Sequence, residues 1–581
     1  MTHTPELAQP TSRPWQHQPP PPPPQHHHHQ QQQQQHQHQH QQPIELPRIH
    51  EEALSQRWRN DPYVTSNPQT HKSVMSTITS FFVNIDSTTV LRFLPERAFK
   101  SWVVEAETYT RCPEDKMLGY SMLALGAALL GANRREDQNR MWMDAMTARH
   151  AQNQTARDGQ NQTVRLSLQL VQCRIVLAVF YLAMGRPFEA SEFSSSACGA
   201  ALELQLNREL HQSDDANLAV FPFNMSRHGF AESRRRTFWS CFMLERLMDP
   251  YSKTKRPAML NADDIFIRLP SSDESFEEQA DAQMPQYAPL VPKLAKESVQ
   301  AEGVSGQWVQ MVDLWTAVMA GIYRSIYRPP ASDSDSVEWH DRMRTCLGQW
   351  EESLPEALAF SEDNMESALR TGNLASFVAM RVLFHQATIK LHRYAHPAQL
   401  LSPEAKAERL GRVRDHAIRI LEMVALADSF IRVVESGMTT LAPTVCSAVL
   451  EAVDVLSAEG SMAQLPKITE LSASARPVIV AMTAVWDEIR GRHLTMMDSR
   501  LNKLRRIQER GSEAASPRSG CRVFSRKTEA KAETETKTEG EPGAKQEHEL
   551  CWQLSESMDN PMPMNMDLVY TNLTQVPPLY G

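Results

Sequence analysis

Apolar residues recur at three- and four-residue spacing through most of this chain, which is the period of helices with one buried face. The pattern runs from about Thr79 to about Arg510. It is clearest in LGYSMLALGAALLG, LSLQLVQCRIVLAVFYLAMG and FVAMRVLFHQATIKLHRY. Prolines and polar clusters divide the runs, as at Pro113, Pro187 and Pro355. Few segments alternate as strands do, so the predicted fold is all-α, a large multi-helix domain. One stretch interrupts it. From Ser271 to Gly306 the chain turns acidic and proline-bearing, with Asp273, Glu274, Glu277, Glu278 and Asp281 close together, and a long surface loop is expected there.

The periodicity fails at both ends. Residues 1–78 form a Pro/His/Gln-rich region: Pro19 to Pro24 is a proline run, and His26 to Gln42 contains only His and Gln. Such a tract buries too little apolar surface to offset the entropy of ordering it, so disorder is expected. Residues 511–581 open with a Lys/Glu-rich tract, KTEAKAETETKTEGEPGAKQEHE, also expected to be disordered. Beyond it, Trp552, Leu554, Met558, Leu568 and Tyr570 are spaced by Glu556, Asp559 and Asp567, and no Lys or Arg follows Lys545. Apolar residues held apart by acids stay solvated until a partner's groove takes them up. This segment is either an acidic activation segment that meets a coactivator or a plain flexible tail.

Composition narrows the class. The chain has 581 residues, 41% of them hydrophobic and 22% charged, and a net charge of −9, so it is not built as a whole to bind nucleic acid. The start, MTHTPELAQPTSRPW, has neither the basic nor the apolar part of a secretory signal. The long uncharged run MLGYSMLALGAALLGAN is slightly short for a bilayer and reads as a buried helix. An intracellular, reducing compartment is expected, with no membrane association. The eight cysteines fit it. None is set at the two-residue spacing that aims two thiolates at one metal, so no zinc and no other cofactor are expected. G-x-S-x-G elbows and P-loops are absent, and HEEAL at His50 lacks the second His of a zinc-protease helix, so the chain is not expected to be an enzyme.

ESRRRTFWSCFMLER, from Glu232 to Arg246, sets three arginines against an aromatic run. A helix is predicted over Gly229 to Asp249. Phe238, Cys241, Phe242, Glu245 and Met248 share one face, and Trp239, Met243 and Leu247 the next, so most of its circumference is buried. Arg234, Arg235 and Arg236 fall in its first turns, where the helix dipole disfavours cations. Bidentate carboxylate partners are therefore expected, and Asp263 and Asp264, which follow the helix just after the turn at Pro257, are the obvious acceptors. The arginines would then brace a loop folded back on the helix rather than contact DNA.

The whole segment from Glu232 to Pro270 resembles the signature of the fungal-specific transcription factor domain, the middle homology region of zinc binuclear cluster regulators. The residues that carry the resemblance are Glu232, Arg234, Arg235, Arg236, Phe238, Trp239, Glu245, Arg256, Pro257, Asp263, Asp264, Leu269 and Pro270. AGIYRSIYRP and LFHQATIKLHRYAHP, with His392 and Arg393, are similar to later helices of that family, and ALGAALLG to an early one. The similarity spans roughly Phe81 to Arg490. Two positions depart from the family: its Gly in Gly-Arg-Pro is Lys255 here, and its Gly-Leu is Gln205-Leu206. The family's six-cysteine DNA reader also has no counterpart, because no cysteine precedes Cys112. The resemblance implies a nuclear regulator of transcription by RNA polymerase II, of a pathway or secondary-metabolite gene set, whose helical domain controls activity, with a small effector as one route. It would reach promoter DNA directly, through a segment upstream of this sequence, or through a DNA-binding partner. The alternative is a helical adaptor or co-regulator that does not bind DNA.

Two further groups have two readings each. His385, His392 and His396 fall near one helical face, as metal ligands or as core residues. SRLNKLRRIQER sets Lys503, Arg505 and Arg506 outside a stripe of Leu494, Met497, Leu501 and Leu504. It is either the last helix of the domain with a solvated basic face, or a nuclear import signal with the stripe as a homodimer seam.

Overall fold

The computed structural model describes residues 51–60, 62–63, 68–105, 111–130, 138–154, 166–248, 258–289, 303–327, 332–394, 402–433, 440–461, 464–515 and 551–553. Residues 1–50 lie outside them, and the helical fold belongs to the unit from Ile49 onward.

Its helices are α1 (Glu51–Arg59), α2 (Pro68–Asn84), α3 (Glu96–Glu105), α4 (Pro113–Ala128), α5 (Gln138–Gln154), α6 (Leu168–Ala183), α7 (Pro187–Glu203), α8 (Arg227–Leu247) and α9 (Asp273–Glu277). They continue as α10 (Val304–Tyr327), α11 (Asp333–Glu352), α12 (Glu362–Arg370), α13 (Leu374–Arg393), α14 (Pro403–Val433), α15 (Pro443–Ala458), α16 (Leu465–Met482) and α17 (Asp487–Ala515). The fold is all-α. One short antiparallel pair, Glu459–Ser461 with Cys551–Gln553, is appended to it.

The starts of these helices are written in the sequence. Pro113 and Pro187 open α4 and α7, where a missing N–H costs nothing. Ser167, Ser226, Ser272, Ser332 and Ser361 each cap a helix by accepting an amide of its first turn.

In the first half α4 packs on α2, α5 and α6, and α6 packs on α7 and α8. In the second half α13 packs on α10, α11, α12, α14 and α15, with α16 and α17 closing over α14 and α15. The α8–α10 contact joins the two halves around one continuous core. Gly126 lets α4 approach α2 closely, since a Cβ there would lie 2.4 Å from the Thr77 carbonyl oxygen.

Three expectations need correction. The stretch expected to be disordered up to residue 78 contains α1 and the first turns of α2. Several contacts hold it: Arg57 Nε donates to Asp144 at 3.1 Å, Tyr120 Oη donates to the Arg57 carbonyl at 2.7 Å, and the Arg111 guanidinium lies 4.8 Å from the buried ring of Tyr63. The expected surface loop from Ser271 is ordered and packed in its first part, where α9 buries Phe276, and Met284 and Tyr287 join the core. Two of its acids, Asp273 and Glu277, are needed there as acceptors for Arg236 and for the amides that open α3. The stripe read as a dimer seam is internal: Met497, Leu501 and Leu504 are buried in the molecule's own core and Leu494 packs against it.

Candidate functional site

α8 is the helix predicted over Gly229 to Asp249, set two residues earlier. Phe238, Trp239, Cys241, Phe242 and Met243 on it are fully buried. Arg234 and Arg236 are buried with them and Arg235 is half-buried, and each binds a different stretch of chain. Arg234 pairs with Asp215 and donates through Nη2 to the carbonyls of Leu204 and Gln205 at 3.3 and 3.2 Å. Arg235 donates through Nε to both Glu209 oxygens at 3.1 Å and through Nη1 to Glu232 at 2.7 Å. Arg236, wholly buried, donates to Glu232 at 2.9 Å, to Asp273 at 2.5 Å, and to the carbonyls of Arg92 and Ser271 at 3.1 and 2.7 Å. Its guanidinium also lies 4.5 Å from the Phe276 ring centre.

Carboxylates complete the lattice. Glu232 Oε1 also accepts the Ser271 amide at 2.8 Å, and Glu209 Oε1 the Arg268 amide at 2.9 Å. Asp86 binds Arg92 at 3.0 Å, and Glu277 caps α3 by accepting the amides of Glu96 and Arg97 at 2.7 and 3.2 Å. Burial pushes the Asp273 carboxyl up, but Arg236 and Arg92 together hold it below the usual carboxylate range. Glu209 is likewise raised by burial and held low overall by Arg235. Asp86 goes the other way: burial outweighs Arg92 and raises it to about 6. The arrangement is a neutralised ionic core in which each guanidinium fork meets a carboxylate or a carbonyl.

The bracing role of the arginines is present, but its acceptors are not those expected. Asp263 and Asp264 are exposed in a short 3-10 turn and pair with no arginine among the described residues. The chain passes them before it returns across α8. The true acceptors are Asp215 and Glu209 before the helix, Glu232 on it, and Asp273 beyond the return. The returning segment is fixed by Trp239 Nε1, which donates to the Arg268 carbonyl at 2.9 Å, and it buries Leu269 and Pro270. Glu245 accepts the amides of Met259 and Leu260 at 2.6 and 3.3 Å and so anchors the start of the same segment. Arg256 and Pro257 lie outside the described residues.

His385 and His392 are buried on α13, while His396 lies outside the described residues. Arg393 lies 3.9 Å from Glu451 and 4.0 Å from Asp454, both on α15. Among the described residues no group of three or more His, Cys, Asp or Glu is arranged to hold a metal, and no helix is long and apolar enough to cross a membrane. Arg505 and Arg506 are exposed on α17 and Lys503 is half-buried. Trp552 lies in the strand opposite Gly460, and Leu554, Leu568 and Tyr570 lie outside the described residues. Sequence reading missed Glu209 and Asp215 altogether. The only signal for them was the run of acids between α7 and α8.

Comparison with known proteins shows what this part of the chain is similar to. Residues 78–352 match the model of the fungal specific transcription factor domain, a span that holds α8 and every partner of its three arginines. An uncharacterized transcriptional regulatory protein of Schizosaccharomyces pombe is 25% identical over 222 residues, covering 34% of this chain and 26% of its own length. A second from that organism is 23% identical over 279 residues, covering 44% and 39%. Transcription factor tazR of Aspergillus terreus is 29% identical over 116 residues, covering 20% and 17%. The matches thus span well under half of these relatives. No solved structure matches the chain. Residues 78–352 are thus similar to the fungal specific transcription factor domain, and the relatives that the chain resembles are transcriptional regulators of fungi.

Proposed function

We propose that the protein is a nuclear regulator of transcription by RNA polymerase II whose helical body is the regulatory domain. The match of residues 78–352 to the fungal specific transcription factor domain carries this reading, because it is centred on the ionic core that organises the first half of the fold. Promoter DNA is reached directly or through a DNA-binding partner. The acidic-hydrophobic C-terminal segment, with Trp552, Leu554, Leu568 and Tyr570, contacts a coactivator, and Lys503, Arg505 and Arg506 direct nuclear import. The helical body has no catalytic task in this reading, and no zinc or other cofactor is needed.

The test uses the full chain joined to an unrelated DNA-binding domain and a reporter carrying that domain's site. Reporter output should rise, and Ala at the four tail positions should abolish the rise. A silent fusion that still enters the nucleus would overturn the reading of the tail. A tagged chain that stays outside the nucleus would overturn the reading as a whole.

A further inference from the structure

The second half of the domain holds a layer of four histidines that the arginine core does not involve. His340 on α11, His385 and His392 on α13, and His416 on α14 meet where these three helices pack. The Nδ1 atoms of His385 and His416 are 2.7 Å apart, and the rings of His340 and His392 are 5.7 Å apart, edge to face. Phe384 packs beside His385 and His416, at 5.1 and 6.0 Å between ring centres. His340, His385 and His392 are 2, 5 and 6% exposed. His385 Nε2 and His392 Nδ1 are buried with no hydrogen-bond partner, and the His340 ring has only the Leu391 backbone to favour a charge on it besides the distant Asp341.

Two contacts require uncharged rings. Arg409 Nη1 lies 3.4 Å from His340 Nε2, and a guanidinium can only donate, so that nitrogen must be bare. A proton placed there would set N–H against N–H beside a fixed positive charge. The short His385–His416 contact allows one shared proton between two facing nitrogens and no second. The charges around the rings offer little relief. Asp341 and Arg344 come from α11, Arg381 from α13, and Arg409, Arg412, Asp415 and Arg419 from α14. Of the two acids, Asp341 is more than half exposed and lies 3.9 Å from His340, and Asp415 is exposed on the surface of α14. On the other neighbouring helices, Glu366 of α12 pairs with Arg370, Glu451 of α15 with Lys390, and Lys467 of α16 with Glu422.

α14 is unevenly anchored. Its residues Ala417, Ile420, Leu421, Val424 and Ala427 are fully buried, whereas before Val413 it has no fully buried apolar side chain. Its N-terminal half meets α11 through the Arg409–His340 contact and α13 through the His416–His385 pair. We propose that this histidine layer is a proton-operated latch, and that acidification releases the N-terminal half of α14 from α11 and α13 while the C-terminal half stays packed.

The sign follows from the rings' surroundings. Burial, reinforced by the arginines, lowers His340 and His416 to about 4 and His392 to about 3, and takes His385 well below the ordinary 6.5. A ring that stays neutral when closed and titrates normally when open favours closure fully above about 6.5. That preference is lost as pH falls from about 6.5 towards 4. Each proton taken up on opening multiplies the open population about tenfold per pH unit. Two protons, one at each contact, give about a hundredfold.

Hydrogen exchange of the full chain, read by mass spectrometry and corrected for the intrinsic pH dependence of exchange, tests the latch. Between pH 7.5 and 5.5, residues 403–416 should lose about a hundredfold of protection, while residues 420–433 keep theirs. The double variant His340→Gln with His416→Gln, neutral and still able to accept or donate, should be protected at both pH values. Each single variant should remove about tenfold of the loss, which keeps the test decisive if the double variant does not fold. Equal protection of residues 403–416 at both pH values would overturn the proposal. A loss that runs evenly along α14 and its neighbours would also overturn it, because that is ordinary acid unfolding.

Discussion

Glu232 holds two guanidinium groups and one backbone amide at once, and its side chain is 5% exposed. Removing it leaves two buried cations short of an acceptor, whereas keeping it brings no more than a neutralised core. Glu232→Gln should therefore cost about 3–5 kcal/mol, seen as a lower urea midpoint of the full chain. Asp263→Asn and Asp264→Asn should each stay within about 0.5 kcal/mol, since both side chains are exposed and neither takes part in the arginine lattice. If those two variants proved as damaging as Glu232→Gln, the assignment of acceptors would be wrong. Gln205 makes a second test. It sits at φ +54°, in the left-handed region, where the family resemblance has Gly. Gln205→Gly should stabilise by about 0.5–1 kcal/mol, because the left-handed strain of an L-residue exceeds the extra chain entropy of Gly. Gln205→Val should lower the thermal midpoint.

Among the elements, α8, α13 and the apolar runs of α4 and α6 were legible in the sequence, since each carries a long helical period, and α4, α6 and α8 have a serine or proline at their start. The partners of Arg234, Arg235 and Arg236 were not. Periodicity says which face is buried but not which distant segment meets it, and Glu209 and Asp215 look like any solvated acids. α1 was hidden for a related reason: its few anchors, Arg57 and nearby Tyr63, engage residues far along the chain. α17 shows how a correct helix can carry a wrong partner. Its stripe packs inward, so Leu501→Ala should cost about 2–5 kcal/mol. Arg505 with Arg506 changed to Ala should leave the urea midpoint within about 0.5 kcal/mol of stability while shifting a tagged chain out of the nucleus. A fall in stability from the arginine pair would place them in the fold rather than in transport.

At the scale of the whole molecule, the segments that α8 ties together are far apart in the chain: Arg92 before it, Leu204 to Asp215 nearer, and Ser271 to Asp273 after it. During synthesis, therefore, the first half cannot close in the order in which it is made. Until Asp273 has left the ribosome, Arg236 lacks one of its two carboxylates, and the segment that covers Trp239 does not yet exist. The N-terminal helices must wait as a loose, sticky intermediate of the kind that chaperones hold. Protease pulses on ribosome-bound chains should accordingly find residues 68–247 cleavable in a nascent chain stopped at 264, and abruptly resistant in one long enough to expose Tyr287. A gradual gain of resistance as α2 to α7 emerge would mean that those helices settle without waiting for the return across α8.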